Sequence, residues 1–310
     1  MRVAADTGRE MMPSVDKADI TPGLVSRLVA AQFPRWAGLP VRAVEPGGWD
    51  NVTFRLGPDL SARLPSADCY AEQVGKEHRW LPRLADRLPL PIPEPVARGN
   101  PGCGYPWPWS VYRWLEGEPA AAGPVASLGQ FAAELAGFLA ALYRIDPSGG
   151  PPPGAHNFFR GGPLAVYHAE TMQAIADLRG EVDADGVAEV WRAALAAPWP
   201  GPPVWVHGDV SPGNLLTVRG RLSAVIDFGC SAVGDPACDT VIAWTFFSGE
   251  SRRIFRARLP VDQATWARGR GWALWKALIV LARALQDDPA EVAETRRVIG
   301  DILADHRDAA

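Results

Sequence analysis

A change in the spacing of apolar residues near position 115 restricts the fold of this chain more than any other feature. Before that position, two short runs of alternating apolar residues flank residues 57–59, Gly-Pro-Asp, which is the pattern of a β-hairpin. After it, apolar residues recur at helical spacing over 128–143, 163–179 and 186–197. Strands followed by helices predict an α+β fold with two lobes.

The two predicted lobes are unequal in length. We expect a strand-rich N-terminal lobe over residues 1–114, in which 1–18 form a loose tail, and a mostly helical C-terminal lobe over 115–310. One hairpin signal, centred on Arg219-Gly220, interrupts the helical part. Further predicted elements are an edge strand over 94–98 and helices over 21–32, 71–87 (kinked or divided at Pro82), 235–248 and 262–306.

Composition and charge argue against several classes of function. With a net charge of −4 and a pI of about 5.8, the chain has no basic footprint for nucleic acid. It shows neither a signal peptide nor an apolar stretch of membrane-spanning length, and its four cysteines lack metal-site spacing. We therefore expect a cytoplasmic protein without nucleic-acid or membrane partners. Acidic residues outnumber basic ones only after residue 114, which favours a cationic small partner there or reflects a solvated acidic surface.

One polar loop, within VWVHGDVSPGNLL at 204–216, combines groups that suit chemistry. It carries the carboxylate of Asp209 and the amide of Asn214, and the hairpin that follows ends at Asp227, back in the neighbourhood of the loop. Asn214 and Asp227 can together chelate a hard divalent cation such as Mg²⁺, which takes oxygen ligands. Asp209 is then left to accept a proton from a hydroxyl group.

These residues fall into a known pattern. H-G-D-x-x-x-x-N over 207–214, D-F-G over 227–229, and G-D-P over 234–236 resemble the motifs of kinases, and the H-G-D variant resembles the aminoglycoside phosphotransferase family. The resemblance implies a bilobal, protein-kinase-like fold that binds ATP (GTP is possible) and Mg²⁺ between its lobes. It also implies that Asp209 is the catalytic base and that Asn214 and Asp227 are the metal ligands.

The resemblance makes further predictions for the N-terminal lobe. Kinase-like lobes hold the nucleotide phosphates with a cation on a strand, which an acidic residue on the next helix positions. Arg63 and Glu77 occupy these places, although the family usually has lysine instead of arginine. Lys76 is a rival cation but belongs to the predicted helix. The alternative interpretation of Arg63 and Glu77 is a surface ion pair.

Two other segments are assigned to the nucleotide by position alone. Gly48 and Asn51 precede a predicted strand over 52–55, where the family covers the phosphates, although Asn51 or Asp50 alternatively only shapes the turn. In the connection after the strand at 109–115, the carbonyl of Arg113 and the amide of Leu115 are predicted to bind the base.

Two residues near the loop are assigned supporting roles. We expect His207 to orient the loop through a hydrogen bond to the backbone, without taking part in proton transfer. Asp239, downstream of the G-D-P motif, is predicted to brace the backbone of the catalytic loop, as the resemblance implies.

The acceptor is predicted to be a small molecule, because no A-P-E sequence follows D-F-G. The acidic C-terminal part favours a cationic aminoglycoside, and a resistance enzyme of that kind is the first hypothesis. If Trp266, Trp272 and Trp275 line the acceptor pocket, and do not simply pack in the core, a macrolide is favoured. The alternatives are a kinase of a choline-, homoserine- or fructosamine-type metabolite, a nucleotide-binding regulatory module without turnover, and a protein kinase.

Overall fold

The computed structural model describes residues 16–45, 47–48 and 50–309. The chain divides into two compact units: unit 1 contains the chain up to Pro82 together with Pro93–Leu115, and unit 2 contains Arg83–Ile92 and everything from Glu116 onward. Residues 83–92, which the sequence-based division leaves in the first lobe, thus group with unit 2.

Unit 1 is built on an antiparallel sheet of strand order β1-β2-β3-β5-β4. The strands are β1 Val41–Ala43, β2 Asn51–Leu56, β3 Leu60–Pro65, β4 Pro95–Gly99 and β5 Trp109–Arg113. The predicted hairpin is present as β2 and β3, with Asn51 opposite Pro65 and Leu56 opposite Leu60. The proline-containing β4 lies at the edge of the sheet, where a missing backbone N–H costs no ladder hydrogen bond.

Two helices accompany this sheet, α1 at Pro22–Gln32 and α2 at Asp68–Ala85. Thr21 caps α1, because its hydroxyl accepts a hydrogen bond of 3.3 Å from the amide of Leu24. Of the predicted kink or division at Pro82, the division does not occur, since α2 continues through this residue. Proline removes only one helical hydrogen bond there, and burial of an amphipathic face holds a helix of this length together. The predicted tail lies outside the described residues as far as position 15.

The helices of unit 2 carry the longer part of the chain. They are α3 Leu128–Tyr143, α4 His168–Asp177, α5 Ala184–Ala196, α6 Ile242–Thr245, α7 Gly249–Arg258, α8 Gln263–Ala284 and α9 Pro289–Arg307. The single helix predicted over 235–248 is wrong: Pro236–Thr240 form a 3-10 turn and only the short α6 follows. Asp235 caps this turn through its side chain, which fixes the backbone in the tighter conformation.

Small strands of unit 2 frame the polar loop. They are β6 Glu118–Pro119, β7 Val204–Val206, β8 Leu215–Val218, β9 Arg221–Val225 and β10 Ala232–Gly234. The polar loop leaves the end of β7, which pairs antiparallel with β10, and enters β8, which forms the predicted hairpin with β9. Both ends of the loop are therefore fixed by backbone pairing.

Helix α8 approaches the 3-10 turn very closely. A Cβ atom added to Gly269 would lie 1.8 Å from the hydroxyl oxygen of Thr240, so only glycine fits between the two elements. This contact places the turn that carries Asp239 against a long buried helix. Within the described part of the chain, no helix is both long and apolar enough to span a membrane.

Candidate active site

Asp239 holds the start of the polar loop. Its side chain is fully buried, and its two oxygens accept hydrogen bonds from the backbone amides of Gly208 (2.7 Å) and His207 (3.0 Å). Burial raises the pKa of the Asp239 carboxyl, whereas the nearby imidazole of His207 and these two N–H groups act in the opposite direction. Asp239 thus contacts the loop backbone in the bracing geometry that the sequence suggested.

The imidazole of His207 is buried and bonded on both sides. Nε2 donates to the carbonyl of Ile226 at 3.0 Å, and Nδ1 accepts from the amide of Asp209 at 3.2 Å. The ring also packs edge-on against Phe228, with centroids 4.6 Å apart. His207 therefore joins the loop to the segment that contains Asp227, which is an orienting geometry.

Glycine is the only residue type that fits at position 208. Its φ is +85°, in the left-handed region, and an added Cβ would lie 2.4 Å from the carbonyl oxygen of Cys230. The same Cβ would lie 3.0 Å from the Cβ of Arg160. The glycine of H-G-D thus allows three chain segments to converge beside Asp209.

Asp209 and Asn214 are joined directly. The amide nitrogen of Asn214 donates to Oδ2 of Asp209 at 3.0 Å and to its backbone carbonyl at 2.9 Å. The carbonyl of Asn214 in turn accepts from the amide of Ile226 at 2.9 Å, which brings the neighbouring residue Asp227 to the loop. Asp227 adopts a left-handed backbone with φ of 66°, a conformation that costs energy outside glycine. Asp209 and Asn214 are thus hydrogen-bonded to each other, and Asp227 is the chain neighbour of a residue that is bonded to Asn214.

The G-D-P motif is anchored by a residue that sequence reasoning missed. The guanidinium of Arg268, on α8, forms a two-pronged ion pair with the carboxylate of Asp235 at 2.6 and 2.9 Å. Both side chains are buried. Since a paired carboxylate and guanidinium satisfy each other in a dry interior, this contact fixes the start of the turn that carries Asp239.

A surface pocket beside Asp209 contains groups that the sequence did not assign. Lys276 reaches to 3.5 Å from Oδ1 of Asp209. The pocket is lined also by Arg160, Trp272 and Trp275. The two tryptophans thus contact the pocket as well as the core, whereas Trp266, the third residue of the predicted set, is buried against Trp244. Lys276 and Arg160 gave no motif signal, because each is a lone basic residue in a segment without recognisable spacing.

Unit 1 contains the predicted phosphate-binding pair. Arg63 on β3 and Glu77 on α2 form an ion pair of 3.4 Å, with side-chain exposures of 15% and 5%. Glu77 also accepts a hydrogen bond from the hydroxyl of Tyr112 on β5. Burial is the main reason why the pKa of this phenol is raised, and the negative charge of Glu77 is the second. The pair is therefore buried, in contrast to the surface ion pair of the alternative interpretation.

The other predicted nucleotide contacts lie at the ends of strands of unit 1. Asn51 is the buried first residue of β2, and the carbonyl of Gly48 accepts a hydrogen bond from Lys17 at 2.6 Å. Arg113 is the last residue of β5 and forms an exposed ion pair with Glu94, and Leu115 follows it.

The residue pattern is matched by a family-level comparison. The sequence model described as the phosphotransferase enzyme family matches residues 41–272. The chain belongs to this family. The match spans both units, from β1 to the tryptophan in the middle of α8, and includes every residue predicted to bind the nucleotide or the metal or to act as the base. The protein is accordingly a small-molecule phosphotransferase, and its family is the one that the motifs around Asp209 indicated.

Solved structures of family members share the fold. The chain is similar to the GDP and kanamycin complex of APH(2″)-IIIa, with 21% identity, a TM-score of 0.70, and coverage of 91% of this chain and 98% of that one. It is similar also to macrolide 2′-phosphotransferase MphH from Brachybacterium faecium, with 24% identity, a TM-score of 0.57, and coverage of 89% and 97%. The uncharacterized protein YcbJ of Bacillus subtilis is 26% identical over 253 residues, which are 75% of each chain.

Proposed function

We propose that this phosphotransferase moves the γ-phosphoryl group of ATP to a hydroxyl group of a small molecule that binds beside Asp209. The observation that carries the proposal is the hydrogen-bonded pair of Asp209 and Asn214, together with the backbone hydrogen bond from Ile226 to Asn214 that joins the loop to the segment before D-F-G. Phosphoryl transfer needs positioned groups and charge stabilisation more than covalent chemistry from the protein. A rigid loop with one carboxylate directed to a pocket fits that need.

Asn214 and Asp227 suit a magnesium ion. Because the amide nitrogen of Asn214 is engaged with Asp209, its amide oxygen is the atom that can ligate a cation. The carboxylate of Asp227 supplies a second oxygen, and Mg²⁺ takes its remaining ligands from phosphates and water. Bound there, the ion would offset negative charge on the nucleotide phosphates. Within the described residues no cluster of three or more His, Cys, Asp and Glu side chains competes as a metal site.

Asp209 is proposed to orient the acceptor hydroxyl and accept its proton. Asn214 fixes Oδ2 of Asp209, so Oδ1 is the oxygen that faces the pocket partner Lys276. An acceptor hydroxyl at Oδ1 would donate a hydrogen bond, and its proton would pass to the carboxylate as the new oxygen–phosphorus bond forms and the bond from the γ-phosphorus to the β–γ bridging oxygen breaks, which releases ADP. His207 and Asp239 keep the loop in place for this step.

Nucleotide binding is proposed to rely on unit 1. Arg63, positioned by Glu77, would contact the phosphates, because a guanidinium keeps its charge and pairs with phosphate oxygens in two-pronged fashion. Gly48 and Asn51 would cover the phosphates, and the backbone of Arg113 and Leu115 would bind the base. ATP is the proposed donor, and GTP is tested beside it.

Two acceptor classes compete. Antibiotics are supported by the relatives in the comparisons, one solved with kanamycin and one described as a macrolide phosphotransferase. The cationic aminoglycoside predicted from sequence belongs to this class. Metabolites with a hydroxyl group, of the choline, homoserine or fructosamine type, form the second class and would use the same loop.

The experiment is an acceptor panel. Purified protein is incubated with Mg²⁺ and ATP or GTP, and nucleoside diphosphate release is measured with aminoglycosides, macrolides, peptide antibiotics and amino alcohols. The proposal is supported if nucleoside diphosphate release depends on the acceptor and mass spectrometry detects one added phosphoryl group on that acceptor. Nucleotide binding without release for any acceptor would instead favour the regulatory module.

A further inference from the structure

Arg160 follows a strained stretch of backbone. Phe158 and Phe159 both have φ of 53°, in the left-handed region that residues with large side chains seldom occupy. Two such residues in succession cost energy, and proteins retain strain of this kind mainly where it positions a functional group. Arg160 is the next residue along the chain.

Buried hydrogen bonds fix this stretch beside the catalytic loop. Asn157 has no exposed surface, and its amide nitrogen donates to the carbonyls of Arg160 (2.8 Å) and Cys230 (3.1 Å). Its amide oxygen accepts from the amide of Gly154 at 2.9 Å. The backbone of Arg160 is thereby tied to the segment that follows the D-F-G motif.

The guanidinium group of Arg160 lies against two indole rings. Its guanidinium carbon lies 5.2 Å from the ring centre of Trp272 and 4.8 Å from that of Trp275. The ring of Tyr167 stacks on the ring of Trp275, with the ring centres 3.9 Å apart. Across residues 16–45, 47–48 and 50–309, no carboxylate lies within ion-pair distance of Arg160. A charged group is thus oriented without an internal partner.

Lys276 adds a second positive charge to the same pocket. Its ammonium group lies 3.5 Å from Oδ1 of Asp209, and the side chains are 41% and 37% exposed. Asn214 donates to Oδ2 of Asp209, so the lysine and the asparagine contact different oxygens of the same carboxylate. The carboxylate of Glu170 accepts a hydrogen bond of 2.8 Å from the indole N–H of Trp275.

We propose that Arg160 and Lys276 recognise an anionic group, a carboxylate or a phosphate, on the acceptor. This inference rests on the proposed phosphotransfer, and it replaces the cationic acceptor predicted from sequence. A guanidinium laid over aromatic rings presents its donors in a fixed plane that matches two oxygens of an anion. The same two charges repel a polycation. An anion between them also draws Lys276 away from Asp209, which leaves Oδ1 to the acceptor hydroxyl.

The test uses small hydroxyl compounds that differ only in charge. One series is 4-hydroxybutyrate, 1-butanol and 4-amino-1-butanol; a second is 4-(hydroxymethyl)benzoate, benzyl alcohol and 4-(aminomethyl)benzyl alcohol. Binding is measured by ligand-observed NMR with Mg²⁺ and ADP present, and ADP release is measured with ATP. The proposal expects the anionic member of a series to bind at least about tenfold more tightly than its cationic partner, as one charge-assisted hydrogen bond provides.

Variants connect that preference to the residues. Arg160→Gln and Lys276→Gln should each weaken the binding of the anionic compounds about 10- to 100-fold. The affinities for the neutral compounds and for ATP should not change. Arg160→Lys should restore part of the loss. Arg283→Gln, at an exposed position further along α8, removes the same charge outside the pocket and should change neither. Thermal unfolding verifies that each variant folds. If Arg160→Gln does not fold, the test is made with Lys276→Gln, because Lys276 is half-exposed.

The outcomes separate the inference from the function on which it rests. Equal binding across a series, preference for the cationic member, or no binding of any anionic member overturns the inference. A loss of affinity for ATP in Arg160→Gln, with acceptor binding intact, also overturns it, because the anion would then be a nucleotide phosphate. Failure of the proposed function looks different: the unmodified protein would show no acceptor-dependent release of ADP with any class of acceptor.

Discussion

The backbone amide of Gly208 donates a hydrogen bond of 2.7 Å to the buried carboxylate of Asp239. The second oxygen of that carboxylate accepts from His207 at 3.0 Å. Two consecutive peptide groups at the start of the catalytic loop thus share one side chain, which approaches from the turn before α6. The position of Asp209, the next residue, depends on this contact.

Replacement of Asp239 by alanine should destabilise the protein strongly. Two buried N–H groups would lose their acceptors, at a cost of about 2–5 kcal/mol in the free energy of unfolding. Denaturant titration measures this cost, and the phosphotransfer rate should fall with it. Asp177→Ala, at an exposed position of α4 where the side chain accepts only from Gln173, is the matched control and should change stability little. Equal stability of the two variants would contradict the bracing role.

The same carboxylate predicts a pH dependence of stability. Burial raises the pKa of Asp239 above its usual value of 3.8, so the folded state holds this proton more tightly than the unfolded state does. The stability linked to this proton is fully present below pH 3.8 and is lost as pH rises through the higher pKa of the folded state. Asp239→Asn should remove this contribution. Unfolding curves of both proteins across this pH range provide the measurement, and parallel curves would refute the linkage.

The sequence was sufficient for the parts of the fold that have local signals. The cap at Thr21, the turn at 57–59 and the helix at 128–143 each follow from residues adjacent in the chain, and each is present. The helix predicted over 235–248 failed because Asp235 pairs with Arg268, a residue of a distant helix that stabilises a tighter turn. A long-range ion pair leaves no periodic pattern in sequence.

The candidate site divides in the same way. Asp209, Asn214 and Asp227 could be proposed from sequence because the chemistry assigned to them requires fixed spacing along one loop and one hairpin. Arg160 and Lys276 come from separate segments, and only packing against Trp272 and Trp275 brings them to Asp209. Since single basic residues are usually solvated surface groups, nothing in the sequence distinguished these two.

Arg63 should contribute to nucleotide affinity. Arg63→Met removes the charge that Glu77 positions, and we expect affinity for ATP to fall about 10- to 100-fold, as loss of charged hydrogen bonds does. Arg63→Lys keeps the charge and loses the planar fork, so an intermediate value is expected. Calorimetric titration with ATP gives the affinities. Arg42→Met, at an exposed position of β1, is the control, and an unchanged affinity in Arg63→Met would remove Arg63 from the site.

Asp227 should govern the metal dependence of nucleotide binding. Asp227→Asn keeps the shape of the side chain and removes its charge, so the Mg²⁺ concentration that half-saturates ATP binding should rise by more than about tenfold. The measurement is ATP affinity over a series of Mg²⁺ concentrations. If the variant and the unmodified protein respond to Mg²⁺ alike, Asp227 is not a ligand.

In the proposed mechanism, Asp209 takes the proton of the acceptor and does not hold the nucleotide. The most direct test of this mechanism is Asp209→Asn, measured for phosphoryl transfer to the best acceptor of the panel and for affinity toward Mg²⁺ and ATP. The expected result is a fall of about 10²- to 10⁴-fold in kcat with nucleotide affinity unchanged. Transfer at the rate of the unmodified protein would contradict the account.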